Sequence, residues 1–174
     1  MTNLIERVNT MVEKIDSANA EYILNDNRFQ SKLDTAQRFE AKGDTEMVEY
    51  IVAELQKYAE EFNEKNLTPA NVQVGEGVTM HLYSDAHAGT IIKKTKLSIT
   101  VQRDKATLDP NFKPEIVVGG FAGHCTNQSE QTYSYERDEN GTIETFRWSK
   151  KYNRYQNKSV NVYKGRHEFY DYNF

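Results

Sequence analysis

Residues 78–104, VTMHLYSDAHAGTIIKKTKLSITVQRD, are the stretch whose pattern decides the fold. β-Branched and aromatic residues alternate with polar ones through VTMHLYS (78–84), GTIIKKTK (89–96) and LSITVQRD (97–104). That period of two predicts three successive strands with tight connections, a meander. The pattern continues downstream. PEIVVGG (114–120) reads as another strand, and QTYSYERDENGTIETFRWSK (131–150) as a hairpin turned at Asn140-Gly141, where both turn positions need positive φ. SVNVYKGRHEFYDYNF (159–174) supplies one or two more strands.

Upstream the period changes. Leu4, Val8, Met11, Ile15 and Ala18 recur at steps of three and four, with Val12 and Tyr22 widening the stripe, which predicts a first helix over about residues 3–24. Asp26 follows as the cap of a second helix with Phe29, Leu33 and Ala36 turned inward. Gly43 can end that helix in the left-handed region, and Asp44 can cap a third built on Met47, Val48, Ile51, Leu55, Tyr58 and Phe62. Pro69, after NEKNLTPA (63–70), marks the change of residue type. The expected architecture is α+β: an acidic helical segment of about three antiparallel helices over 1–67, then a β domain over 68–174 forming a small, strongly bent antiparallel sheet or SH3-like barrel.

The net charge of −4 hides a polarity. Residues 1–67 carry fourteen acids against eight bases, a net −6, and residues 68–174 carry twelve against fourteen, a net +2. Between 142 and 167 seven bases face the single acid Glu144. A charge so concentrated produces a local potential whatever the total. No run approaches the length of a bilayer span, the start MTNLIERVNT is polar rather than signal-like, and the single Cys125 excludes an internal disulfide and a four-cysteine zinc site. The expectation is a soluble cytoplasmic protein.

Two stretches invite a chemical reading. VVGGFAGHCTNQ (117–128) holds three glycines, His124 and Cys125. A phosphate-binding loop leads from a strand into a helix, whereas strand character resumes here, so the loop reads as a shape element. Cys125 and the adjacent His124 point to opposite faces of an extended chain and cannot share a proton, leaving His81, His87 or His167 as a distant base. His81, Asp85, His87 and His124 are the candidates for a metal site, but SDAHAG looks like a turn that separates them. The reading assigns no catalytic residue, no metal and no cofactor.

The hairpin TFRWSKKYNRYQNK (145–158) interleaves cations with rings. Nucleic-acid surfaces need both, cations to replace counterions on phosphates and rings on which bases stack. Arg147, Trp148, Lys150, Lys151, Tyr152, Arg154, Tyr155 and Lys158 are therefore the candidate partner or nucleic-acid contacts. Against this, alternation puts Phe146 and Trp148 on one face and Arg147 on the other, as in an ordinary half-buried strand. At the C-terminus, Tyr170, Tyr172 and Phe174 align on one face of a predicted strand, where core packing is expected.

VGEGVTMHLYSDAHAGTII (74–92), VQRDKATL (101–108), GGFAGHCTNQ (119–128), YERDENGTI (135–143) and FYDYNF (169–174) resemble a family of small proteins encoded by bacteriophages, prophages and related mobile elements. The resemblance covers about residues 74–174, through a Gly-Gly-Phe-x-Gly-His loop, an Asp-x-Asn-Gly type hairpin and an aromatic end. Some relatives are similar to anti-CRISPR inhibitors of type II RNA-guided nucleases. The resemblance thus implies a non-enzymatic inhibitor in the bacterial cytoplasm that binds a nuclease–guide RNA complex and blocks DNA cleavage. Its acidic helices would meet the protein and its basic hairpin the guide RNA. A free-standing nucleic-acid-binding module and a metal-dependent phage hydrolase are the alternatives.

Overall fold

The computed structural model of the protein describes residues 3–119 and 122–173. It divides into two compact units, Met1–Asn71 and Val72–Phe174.

The first unit holds four helices, α1 (Leu4–Val12), α2 (Ser17–Leu24), α3 (Asn27–Ala41) and α4 (Thr45–Lys65). The expected first helix is thus two, and the count is four rather than three. The break lies at Asp16, whose backbone is extended (φ −54°, ψ 134°) and whose carboxylate accepts from the amides of Ala18 and Asn19. An N-cap satisfies amides that have no intrahelical partner, so a new helix starts there although the apolar stripe runs on. Asn63 fixes the break from α4, its Oδ1 accepting from Asp16 N at 3.0 Å and Asn19 Nδ2 at 2.9 Å. Asp26 and Asp44 cap α3 and α4 as their positions predict, and Gly43 takes φ 74° between them. Leu4, Val8, Ile23, Phe29, Ala36, Ile51, Leu55 and Ala59 are among the residues that make the core of this unit, with Tyr22 stacked on Phe62.

The second unit is a closed antiparallel barrel. Its strands are β1 (Gly77–His81), β2 (Ala86–Lys94), β3 (Ser98–Arg103), β8 (Ile143–Ser149), β9 (Arg154–Asn157) and β10 (Val160–Lys164), in the order β1-β10-β9-β8-β3-β2. The first three form the expected meander. Register places Met80 opposite Val162, Val162 opposite Tyr155, Tyr155 opposite Trp148 and Phe146 opposite Ile99. Paired residues share a face, and these, except the half-buried Trp148, are buried with Val78, Ile91 and Val101 as the barrel core.

Two ribbons leave the barrel: β4 (Lys105–Leu108) pairs with β7 (Tyr133–Glu136), and β5 (Ile116–Gly119) with β6 (Ala122–Cys125). The expected strand over 97–104 is β3, and past Asp104 the chain continues into β4. The expected Asn140-Gly141 hairpin is corrected, because β7 and β8 pair with different partners and neither turn residue has positive φ. Gly141 is required for a different reason: a side chain there would collide with the Arg103 carbonyl. Gly120 and Phe121 of the glycine-rich loop lie outside the described residues.

The C-terminal stretch is a strap rather than the predicted strand, with one bridge between Ala86 and Phe169. Side-chain amides replace the ladder: Gln131 bonds both the N and O of Tyr170, Gln128 accepts from Tyr172 N, and Asn173 bonds both backbone groups of Cys125. Tyr170 is exposed and Tyr172 half-buried, their rings edge to face at 4.9 Å, instead of entering the core. Phe174 lies outside the described residues.

A candidate nucleic-acid interface on the outer face of β8 and β9

Alternation along β8 and β9 separates the basic stretch into two populations. The register pairs Arg147 with Gln156 and Ser149 with Arg154 on the outer face, and Trp148 with Tyr155 on the inner one. Tyr155 is fully buried and packs edge to face with Trp148 at 5.3 Å, so this candidate belongs to the barrel core. Its hydroxyl has no hydrogen-bond partner among the described residues, and burial pushes its pKa up to about 12.

The remaining candidates lie at the surface. Arg147, Lys150, Lys151, Tyr152 and Lys158 are exposed, while Trp148 and Arg154 are half-buried. In the turn joining the strands, Tyr152 lies between two cations, Lys151 Nζ at 5.1 Å and Arg154 Cζ at 5.2 Å from the ring centroid. The buried Asn153 shapes this turn at φ 48°, a region asparagine tolerates better than most residues. The two-residue connection to β10 is set by Lys158 at φ 52°.

Along the outer face runs a shallow groove of about 350 Å³ lined by Thr145, Arg147, Trp148, Ser149, Gln156, Asn157 and Lys158. It joins two cations to two hydroxyls and the Gln156 amide, while Trp148 and Asn157 belong by register to the opposite face. The hydroxyls and the amide were missed by the sequence reading. Their signal was the alternation itself, since residues 145, 147 and 149 fall on the face opposite Phe146. Such a surface offers cations for phosphate oxygens and an amide with both donors and an acceptor.

The other candidates are dispersed. His81 and His87 fall on opposite faces of the β1–β2 hairpin, because His81 pairs with Ala86 and His87 with Met80. Asp85 accepts from Asp171 N at 2.9 Å, and His124 is exposed on β6. Among the described residues no three His, Cys, Asp or Glu side chains are grouped to hold a metal ion. Cys125 is buried, its thiol directed at Asn127 Oδ1 at 3.4 Å.

A second polar cluster, invisible in the sequence because its members lie up to 81 residues apart, fastens the strap. Glu168 Oε1 meets Arg103 at 2.6 Å and His87 Nδ1 at 3.2 Å, and its Oε2 accepts from Ala88 N at 2.8 Å. Burial raises the Glu168 pKa, but the His87 bond, the Ala88 amide and the Arg103 charge outweigh it and hold the carboxyl below the ordinary carboxylate range. Beside it, buried Asp104 takes Thr90 Oγ1 at 2.8 Å and Arg166 Nε at 2.7 Å. The Glu168 and Asp104 carboxylates are each met by donors of the same unit, the arrangement expected of a structural clamp.

No family model, curated protein or solved structure matches the chain. Among the described residues no helix is long and apolar enough to cross a membrane.

Proposed function

We propose that the protein works by binding rather than by turnover, and that the outer β8–β9 face contacts RNA. The observation that carries this reading is the concentration of Arg147, Lys150, Lys151, Arg154 and Lys158 along the β8–β9 hairpin and its turn, with Tyr152 flanked by two of these cations and no acid from Thr145 to Lys158. The sequence resemblance supports the specific form: an inhibitor encoded by a mobile element that seats this face on the guide RNA of a type II RNA-guided nuclease and prevents DNA cleavage. Such complexes expose RNA beside basic protein channels, so a chain with an acidic helical part and a basic hairpin matches both in charge.

The acidic side of that match is weaker than a count of carboxylates suggests. Asp16, Asp26 and Asp44 cap helices, Glu49 is paired with Arg7, and Glu54 with Lys32. The basic side therefore carries the proposal. A pull-down of the tagged protein against the nuclease, with and without its guide, followed by a cleavage assay, tests it directly. Guide-dependent capture with loss of cleavage is expected, and the triple variant K150A/K151A/R154A should weaken capture at least tenfold. Capture that ignores both guide and variant removes the RNA contact from the reading. Binding to free RNA with cleavage untouched favours the alternative of a nucleic-acid module, which the same groove supports.

A further inference from the structure

We infer that the free edge of β5 is where two copies of this chain join, their β5 strands pairing antiparallel about a two-fold axis at Val117. β5 and β6 pair only with each other, so each has one edge turned away from the ladder. The edge of β6 is already occupied. Asn173 Oδ1 accepts from Cys125 N at 2.6 Å and Asn173 Nδ2 donates to the Cys125 carbonyl at 3.1 Å, the two bonds a further strand would make there. Because both backbone groups of Cys125 point outward, so do those of its partner Ile116 and, two residues on, those of Val118. Val117, opposite His124, turns its groups inward to β6. Among the described residues the N–H and C=O of Ile116 and Val118 meet no partner.

That edge is apolar as well as unpaired. Ile116, Val117 and Val118 are 52%, 57% and 89% exposed, and no Asp, Glu, Lys or Arg occurs between Glu115 and Glu130. An open, uncharged edge is a template for another strand. What selects a second copy is self-complementarity. With Val117 opposite Val117, Ile116 of each copy lies opposite Val118 of the other, and each of these pairs exchanges both of its N–H···O=C bonds. Glu115 then faces the neutral Gly119, so no like charges are opposed. Moving the axis to Ile116 would set Val118 against Pro114, which has no N–H to give. Ile116 and Val118 of both copies join into one apolar cluster on one face, and the two Val117 side chains meet on the other. Since Asn173 holds the β6 edge, pairing closes at two copies instead of running on. Three aliphatic side chains from each copy cannot reach the roughly 1,200 Å² at which standard stable interfaces begin, so the dimer exchanges with monomer.

Sedimentation velocity of the intact chain from about 1 µM to about 1 mM tests this without RNA or nuclease, so its outcome is separate from that of the RNA-contact reading. A monomer–dimer equilibrium with no larger species is expected. Val118→Pro removes an outward N–H while leaving the β5–β6 ladder its bonds, and should weaken dimerisation at least tenfold. The axis is tested by charge. Val117→Lys and Val117→Glu should each be monomeric, because like charges would stand directly opposite, whereas an equimolar mixture of the two variants should dimerise. Both positions are exposed, and circular dichroism of each variant verifies the fold. A chain that stays monomeric throughout would overturn the inference, as would a dimer that Val118→Pro leaves unchanged. Dimerisation of Val117→Lys alone, failure of the mixture to associate, or growth beyond two copies would overturn the two-fold edge.

Discussion

Tyr155 shows how much a single residue can separate two readings of one strand. As a member of RWSKKYNRY it looks like a stacking ring, yet parity puts it inside the barrel, where its hydroxyl lacks a partner among the described residues. A buried hydroxyl without a hydrogen bond costs about 1–3 kcal/mol of desolvation, so Tyr155→Phe should stabilise the protein by about 1 kcal/mol, read as a higher urea midpoint at unchanged slope. A lower midpoint would show that the hydroxyl finds a bond in solution. The pH dependence has a definite sign. The folded-state pKa of about 12 exceeds the ordinary value of 10.0, so the fold opposes ionisation and loses stability as pH rises above about 10; Tyr155→Phe should remove that component. Glu168 behaves oppositely. Its depressed pKa contributes stability that is present above the ordinary carboxylate value, about 4.3, and is lost as pH falls through the lower folded value. The melting temperature of wild type minus that of Glu168→Gln should therefore be positive at pH about 6 and shrink in acid, because the amide keeps the shape without the charge. A difference that stays constant into acid would mean that Arg103 and His87 do not act through the carboxylate's charge.

At the scale of elements, the sequence was legible where one local rule acted alone. Asp26, Asp44 and Gly43 mark helix ends, and the alternation over 78–104 gives the β1–β2–β3 meander. It was less legible where two rules competed. The apolar stripe from Leu4 to Ala18 keeps helical period across Asp16, so periodicity predicts one helix while the cap chemistry of Asp16 dictates two. What decides is Asn63 on α4, whose carbonyl fixes both Asp16 N and the Asn19 amide from 47 and 44 residues away. Asp16→Ala should accordingly cost about 1 kcal/mol, more than a surface substitution, and restoring the cap with Asp16→Ser or Asp16→Asn should recover much of it in urea unfolding. Equal stability of the Ala variant would assign the break to Asn63 alone. Asn140-Gly141 failed for a related reason. A turn sequence announces that the chain turns there but not which strands it joins, and here β3 and β4 take β8 and β7 as separate partners. The candidate site was half legible: the cations were readable from composition, whereas the outward Gln156 and the inward Tyr155 needed the register.

At the scale of the whole molecule, charge and structure divide almost together. The helical unit ends at Asn71, which bonds Thr68 N and the Asn66 carbonyl, and its last four residues carry no charge, so its formal net charge is −6 against +2 for Val72–Phe174. Each unit has a set of buried apolar residues of its own, the helical cluster in one and the barrel interior in the other. Residues 72–174 alone should therefore fold, giving a cooperative melt and β-type circular dichroism. If the groove is the RNA contact, this fragment should also keep the salt dependence of the intact protein. The slope of log K against log salt counts the phosphates neutralised, roughly −0.7 for each on a single strand, and not the net charge of the binder. Arg147 and Lys158 in the groove, with Lys150, Lys151 and Arg154 in and beside the turn, set an upper slope of about −3.5, and removing six net negative charges elsewhere leaves those contacts untouched. Measured by anisotropy between about 0.05 and 0.2 M salt, the fragment and the intact chain should give equal slopes, and R147A should flatten both by about 0.7. A markedly shallower slope for a well-folded fragment would place phosphate contacts in the helical unit, and the basic face of β8 and β9 could then no longer carry the binding by itself.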